Sequence, residues 1–383
     1  MTLSGSGLGV NCGVPVGGGS ARGGSDAGSY VSSRRKAYRL QAGISAVVGR
    51  SGGLAAVSLR RVAECGRHPL GGSVDVVVSG DAGRARFTGL QRCGSVWSCP
   101  SCSASVGAYR RGELGRMVSS WESQGGQFVL LTLTVSHHLG ESLRGLRAWL
   151  TGDAFRSLRR DWSFKSWWSE VGVVGYVKAL EVTLGANGWH PHLHLLLFVR
   201  AGGSSSVDLP GCWSRVVAGV GGSASREHGC SVELVESGGA AVAGYLAKFG
   251  VEWELTNALG KRSRGGRSSW DLLQEAVAGG AEAARLWVEF SLAMKGARQL
   301  TFSRRIRELL GVGEEVSDEA LVNGEVLAEG ERVVMSLPLE SWGRLSRAGL
   351  VLQFLEAVEL GVVYGVAFLR SFGLSAWVWE EAG

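Results

Sequence analysis

The stretch from Tyr176 to Val199 leaves the chain little choice of fold. YVKALEVTL and PHLHLLLFV are apolar-rich runs on either side of the turn GANGWH, a pattern that folds into an antiparallel hairpin. Side chains alternate across a strand, so His192 and His194 share one face while Leu193, Leu195 and Leu197 point to the other. Symmetric closure around Asn187-Gly188 sets Glu181 opposite His194 and Thr183 opposite His192. Cross-strand partners lie about 5 Å apart at Cβ, so His192, His194 and Glu181 form one cluster. Two imidazoles and a carboxylate suit a divalent ion such as Mn²⁺, Mg²⁺ or Zn²⁺. The plainer alternative is a pair of histidines bonded to the backbone. Burying three neighbouring ionisable groups without partners costs several kcal/mol, so that alternative needs exposure or a full set of partners. His190 reads as a turn residue, and His137 and His138 as alternative fourth ligands.

The rest of the chain supplies layers for this hairpin. Its 383 residues, 45% hydrophobic, are enough for a sizeable core and two or three structural units. The 60 glycines follow no G-X-Y period, which excludes collagen. With no run of 18 apolar residues and no charged-then-apolar leader, the chain reads as cytoplasmic, without a membrane partner. Residues 1–62 read as a disordered arm, Gly/Ser-rich to residue 30 and then basic through Arg34, Arg35, Lys36, Arg39, Arg50, Arg60 and Arg61. Residues 63–125 hold four cysteines, a strand marked by Val74, Val76 and Val78, and a helix over 104–122. Val106, Tyr109, Met117, Val118 and Trp121 share one face of that helix, with Arg110, Arg111 and Arg116 mostly on the other. Residues 126–256 form a candidate catalytic domain: a central strand Phe128–Val135, a helix over 141–169, the hairpin, and a helix over 240–249. A basic segment, 257–310, and an acidic region, 311–383, follow. Strand, helix, hairpin and helix in that order give an α+β class, a central antiparallel sheet flanked by helices.

Charge is uneven along this order. Residues 311–383 carry 4 Lys/Arg against 12 Asp/Glu, leaving 36 basic and 22 acidic residues in 1–310. A basic body with an acidic tail points to a polyanionic partner, although solubility alone would also account for it. Lys261, Arg262, Arg264 and Arg267 sit in a Gly-rich loop suited to tracking phosphates. Arg298, Arg304, Arg305 and Arg307 form a second basic run.

Cys99 and Cys102 form a CxxC, with Cys93 six residues upstream and Cys65 as fourth ligand. The set reads as a structural Zn²⁺ site, with His68 as the alternative to Cys65; a redox pair would need a βαβ context that is absent. Cys12, Cys212 and Cys230 read as unpaired. Tyr245 and Lys248, three residues apart on the helix over 240–249, share a face. A tyrosine hydroxyl can attack a phosphodiester when a metal polarises the phosphoryl oxygens, and the lysine can neutralise the phosphate. Taken singly, Tyr245 would be a core aromatic and Lys248 a solvated cation.

HPHLHLLLF resembles the histidine–hydrophobic–histidine motif of rolling-circle replication initiators, VAGYLAKF their Tyr-x-x-Lys motif, and FVLLTLTV the strand motif that precedes both. With CGSVWSCPSC upstream and GARQLTFSRRIREL downstream, the pattern over about residues 60–310 is similar to the initiators of actinobacterial plasmids and integrative elements, in the HUH endonuclease superfamily. The resemblance implies that Tyr245 nicks one strand of a double-stranded origin and stays on the 5′ phosphate. The freed 3′ hydroxyl then primes a host polymerase, with a helicase as a further partner, and single-stranded product results. It implies a metal, Mg²⁺ or Mn²⁺, held by His192, His194 and a carboxylate assigned to Glu181. Some related initiators carry a glutamate four residues before the tyrosine to activate water at termination. Ala241 stands there, and Glu236, Glu252 and Glu254 are the candidates to replace it. The alternatives are a transposase or relaxase with the same histidine pair, or a non-catalytic zinc-containing DNA-binding protein, which has no need of Tyr245, His192 and His194 together.

Overall fold

The computed structural model describes residues 23–79, 83–235, 266–323 and 330–379, with side chains from Arg34 onward. It is a mixed α/β molecule with two antiparallel sheets. The larger sheet consists of β3 (Gln127–Thr134), β4 (Val173–Gly185), β5 (Gly188–Val199), β6 (Cys230–Val235) and β7 (Leu300–Phe302), in the order β6-β3-β5-β4-β7. The smaller one consists of β1 (Ser73–Ser79), β2 (Ala85–Thr88), β8 (Glu331–Pro338) and β9 (Trp377–Val378), in the order β2-β1-β8-β9.

The large sheet separates two layers. Leu193, Leu195 and Leu197 of β5 and Leu131 and Leu133 of β3 face a core built with Phe155, Leu158, Trp167, Trp213, Leu272, Trp287 and Phe290. These come from helices Phe155–Arg160, Trp162–Glu170, Leu209–Gly219, Ser269–Val277 and Ala281–Ala293. The other face is covered over part of its length. Phe128, Leu130, Val177, Leu196 and Phe198 pack under Leu114, Met117, Val118 and Trp121 of the helix Pro100–Ser123. Gly126 allows the turn into β3, because a Cβ there would meet the Trp121 indole at 2.1 Å, and the indole N–H donates to the Gln127 carbonyl at 3.1 Å.

Several expectations need correction. Residues 23–62 are not a disordered arm: helices Gly23–Ser51 and Gly53–Ala63 bury Leu40, Ile44, Val47, Val48, Leu59 and Val62. The apolar spacing of Leu40, Ile44, Val47 and Val48 is helical, so these residues pay for ordering the chain despite its arginines. Residues 63–125 are not one module either, since β1 pairs with β8 from the acidic region. The helix expected over 141–169 runs through a π-turn, Leu150–Ala154, without leaving helical backbone and breaks at Asp161, which caps Trp162–Glu170 through the Phe164 N–H at 3.2 Å. The segment 257–310 supplies the strand β7 and two core helices rather than a DNA-contacting surface throughout.

Part of the charge asymmetry is neutralised inside the molecule. Arg34 pairs with Glu359, Arg35 with Glu356 at 2.8 Å, and Arg86 with Glu331. Arg110 is buried, not solvent-facing: it binds Glu113 at 3.0 Å and Asp318 at 2.9 Å. Arg307, expected on a basic surface, is also buried and binds the other Glu113 oxygen at 2.7 Å. Glu113 therefore balances two enclosed guanidinium groups. Glu113→Gln should lower stability by about 3–5 kcal/mol, because it leaves buried charge uncompensated; urea unfolding of the full chain measures it.

Candidate functional site

The site lies at the end of the large sheet where the strands turn polar. On the partly covered face, β3 changes from Phe128 and Leu130 to Thr132 and Thr134, β5 from Phe198 and Leu196 to His194, His192 and His190, and β4 from Val177 and Ala179 to Glu181 and Thr183. Pairing aligns these changes: Thr132 opposes His194, Thr134 opposes His192, Glu181 opposes His192 and Thr183 opposes His190. Three strands thus turn polar together at one end of the sheet.

The hairpin register differs from symmetric closure around Asn187-Gly188. Gly185 pairs with Gly188, so the loop is Ala186-Asn187 and every partner moves by two residues. Gly188 has φ +95°, and a Cβ there would lie 3.1 Å from the His138 carbonyl, so glycine begins the returning strand. A shift of two keeps every side chain on its face. Glu181 still reaches His194, now diagonally, with Oε2 2.9 Å from Nε2. His190 belongs to β5 rather than to the turn.

The three histidines have different partners. His194 is held at both nitrogens, Nδ1 lying 3.0 Å from the Thr132 hydroxyl and Nε2 against Glu181. His190 Nε2 meets the Thr134 hydroxyl at 2.8 Å, and its ring stacks on His137 with centroids 4.4 Å apart. His192 lies between them, its ring centroid 4.0 Å from that of His190 and 5.9 Å from that of His194. Burial, reinforced by the neighbouring His190 charge and against the pull of Glu181, pushes His192 down to about 4. It is therefore a neutral imidazole near pH 7, the form that ligates metal. Burial pushes the Glu181 carboxyl up, but its hydrogen bond with His194 and the charges of His194, His192 and His190 outweigh that and hold it below the ordinary value.

The chemistry of two imidazoles and a carboxylate suits a divalent ion. Neighbouring octahedral ligands at about 2.1 Å from a metal stand about 3 Å apart, close to the 2.9 Å between Glu181 and His194. The ligand atoms of His192, His194 and Glu181 do not, however, all lie within 4.8 Å of one another; among the described residues only the cysteine group meets that spacing.

Cys65, Cys93, Cys99 and Cys102 converge, all buried. Sulfur pairs lie 3.5 Å apart (Cys65–Cys102 and Cys65–Cys99) and 3.7 Å apart (Cys93–Cys102). Four thiolates about 2.3 Å from Zn²⁺ would be about 3.8 Å apart, so the group can hold a metal such as zinc. Local structure prepares it, with Cys99 capping the helix Pro100–Ser123 through the Cys102 N–H at 3.4 Å. Hydrogen bonds from Cys102, Cys93 and Cys99 pull the Cys65 thiol far down, while burial pushes Cys99 up. Without a cation the four cannot ionise together; a dication removes that conflict. His68 stands outside, exposed and 3.5 Å from Glu64. Cys212 and Cys230 are free thiols, as expected.

Other named residues are apart from these groups. Tyr245, Lys248, Ala241, Lys261, Arg262 and Arg264 lie outside the described residues, as do Glu236, Glu252, Glu254 and Cys12. The segment that contains all of these except Cys12 leaves β6 at Val235, opposite Phe128, and ends at Gly266, whose Cβ position is 3.3 Å from the Thr183 side chain. Arg267 bridges to Leu184 and pairs with Glu275 at 3.0 Å. Sequence reasoning passed over Thr132 and Thr134, and took His190 for a turn residue. The signal for the threonines was the change from Phe and Leu to Thr at alternate positions of FVLLTLTV.

Residues 86–204 match the family model described as "Replication protein". The chain carries a replication-protein domain. It is similar to "Protein rep" of Streptomyces lividans, 26% identical over 358 residues that span 74% of this chain and 78% of that one. It is also similar to a "Neomycin resistance protein" of Streptomyces cyanogenus, 34% identical over 142 residues, 31% of this chain and 32% of that one. No solved structure matches. The replication-protein domain takes in Cys93, Cys99 and Cys102, the strands β3 to β5 and every residue of the polar row; Tyr245 follows it. Among the described residues no helix is long and apolar enough to cross a membrane.

Cys99→Ser should remove a metal ligand while leaving a side chain that can still cap the helix Pro100–Ser123. Purified wild-type chain is expected to contain one zinc per molecule and the variant less than a tenth of that, with a lowered Tm, as read by elemental analysis and thermal unfolding. Equal zinc content in both would discard the cysteine assignment.

Proposed function

We propose that this replication protein initiates rolling-circle replication of a plasmid, with a sheet of the HUH kind and with Tyr245 as the nucleophile that nicks one strand of a double-stranded origin. The observation that carries the reading is the polar row of His192, His194 and Glu181, with the neutral His192 ready to ligate.

His192, His194 and Glu181 would hold Mg²⁺ or Mn²⁺, which when bound draws charge from the scissile phosphate. The Tyr245 oxygen attacks phosphorus as its proton is lost to solvent. The P–O3′ bond breaks, the 5′ phosphate stays on the tyrosine and the 3′ hydroxyl leaves as primer for a host polymerase, with a helicase opening the duplex ahead. Lys248 neutralises the phosphate. Lys261, Arg262 and Arg264, with Arg267 once it parts from Glu275, follow the backbone of the duplex and of the single strand. Zinc on the four cysteines is structural, and the cycle takes place in the cytoplasm.

Supercoiled plasmid carrying the origin, incubated with the chain and Mn²⁺ or Mg²⁺, should be nicked and form a covalent protein–DNA adduct. Tyr245→Phe should abolish the adduct and leave DNA binding intact, and His192→Ala should slow nicking by at least about 100-fold. An adduct formed at full rate by Tyr245→Phe would exclude this nucleophile.

A further inference from the structure

Two threonines of β3 stand in the histidine row without a role in the reaction as proposed. Thr132 lies directly opposite His194, and its hydroxyl is 3.0 Å from Nδ1. Thr134 lies opposite His192 but bonds His190 instead, at Nε2 and 2.8 Å. They hold opposite nitrogens of the two rings, so His194 offers Nε2 to the site and His190 keeps Nδ1 free.

We infer that Thr132 is a positioning residue that aims His194 Nε2 at the metal position beside Glu181. The inference rests on the reading of His194 as a ligand. An imidazole on a strand has two ring orientations that differ by a half-turn about its bond to Cβ. Only one directs Nε2 to Glu181 while Nδ1 meets a hydroxyl. A hydroxyl is the partner this requires, because it donates or accepts and so serves either tautomer of the ring. A ligating histidine usually has its other nitrogen bonded in this way, and loss of such a partner weakens metal binding about 10–100-fold. Strand propensity alone does not explain threonine at both positions. Valine would serve a strand equally well, and the same face of β3 carries Phe128 and Leu130 where no histidine stands opposite.

Thr132→Val keeps the β-branched shape and removes the hydroxyl, whereas Thr132→Ser keeps the hydroxyl. In the full chain with zinc on its cysteines and no DNA, Mn²⁺ titration followed by electron paramagnetic resonance should show about tenfold weaker binding for Thr132→Val. Thr132→Ser should bind as wild type. In metal-free chain labelled with ¹⁵N-histidine, Thr132→Val should shift the His194 Nδ1 resonance and Thr132→Ser should restore it. Wild-type Mn²⁺ affinity in Thr132→Val overturns the proposal where His194→Ala loses that affinity. If His194→Ala also binds Mn²⁺ as wild type, the metal reading falls. The resonance then decides the positioning role alone: unmoved in Thr132→Val, it overturns that role too.

Discussion

The antiparallel register between β3, β5 and β4 is the constraint on which this molecule turns. Each strand is apolar at one end of a face and polar at the other, and no one of them makes a site alone. A site exists because Thr132, His194 and Ala179 lie at one level, and Thr134, His192 and Glu181 at the next. A slip of one residue would send His192 and His194 into the core and bring Leu193 and Leu195 out. The cost of burying imidazoles there, together with the loss of apolar burial, excludes that slip. A slip of two is far less costly, and that is the difference between symmetric closure and the structure.

The helix Pro100–Ser123 joins the two candidate metal centres. Its first turn is capped by Cys99 and contributes Cys102, while its last turns put Leu114, Met117 and Trp121 onto the apolar half of the sheet. Between them, Arg110 and Glu113 tie it to Arg307 and Asp318. Leu114, Met117, Val118 and Trp121 cover the apolar half of the face that carries the histidine row at its other end. A cation on the cysteines would fix the start of the helix, and so act on the site through packing rather than through contact.

Much of the site could be read from spacing, because a strand has period two and spacing then gives facing. His192 with His194, Glu181 on the partner strand and the cysteine quartet all follow from such local rules, and the replication-protein resemblance is borne out. What did not follow were pairings between distant parts of the chain. The acidic region reads as a tail until β8 pairs with β1, 261 positions away at Asp75 and Ser336. Arg307 looks like a surface cation because nothing local announces that it meets Glu113. Arg110 has Glu113 three residues on, but Asp318, which it also binds, and Arg307, which shares Glu113, come from a distant part of the chain. Arg34, Arg35 and Lys36 drew attention from the helical spacing of Leu40, Ile44 and Val47 behind them. Net charge misled for the same reason: a sum along the chain does not show which charges meet.

The two faces of β5 explain why its polar row is held in place. Directly behind His192 and His194 lie Leu193, Leu195 and Leu197, all without exposure, in the larger core. Two indoles tie the polar end of the sheet to the helices behind it: Trp213 donates to the Thr134 carbonyl at 2.8 Å, and Trp189 to Glu289 at 2.9 Å. A backbone fixed from behind limits movement of the histidines to their side-chain torsions, and hydroxyls from the next strand restrain two of the three rings. His192 lies between the rings of His190 and His194 and directly opposite Thr134 and Glu181. Its low proton affinity keeps it a neutral imidazole near pH 7, the form that can ligate a metal.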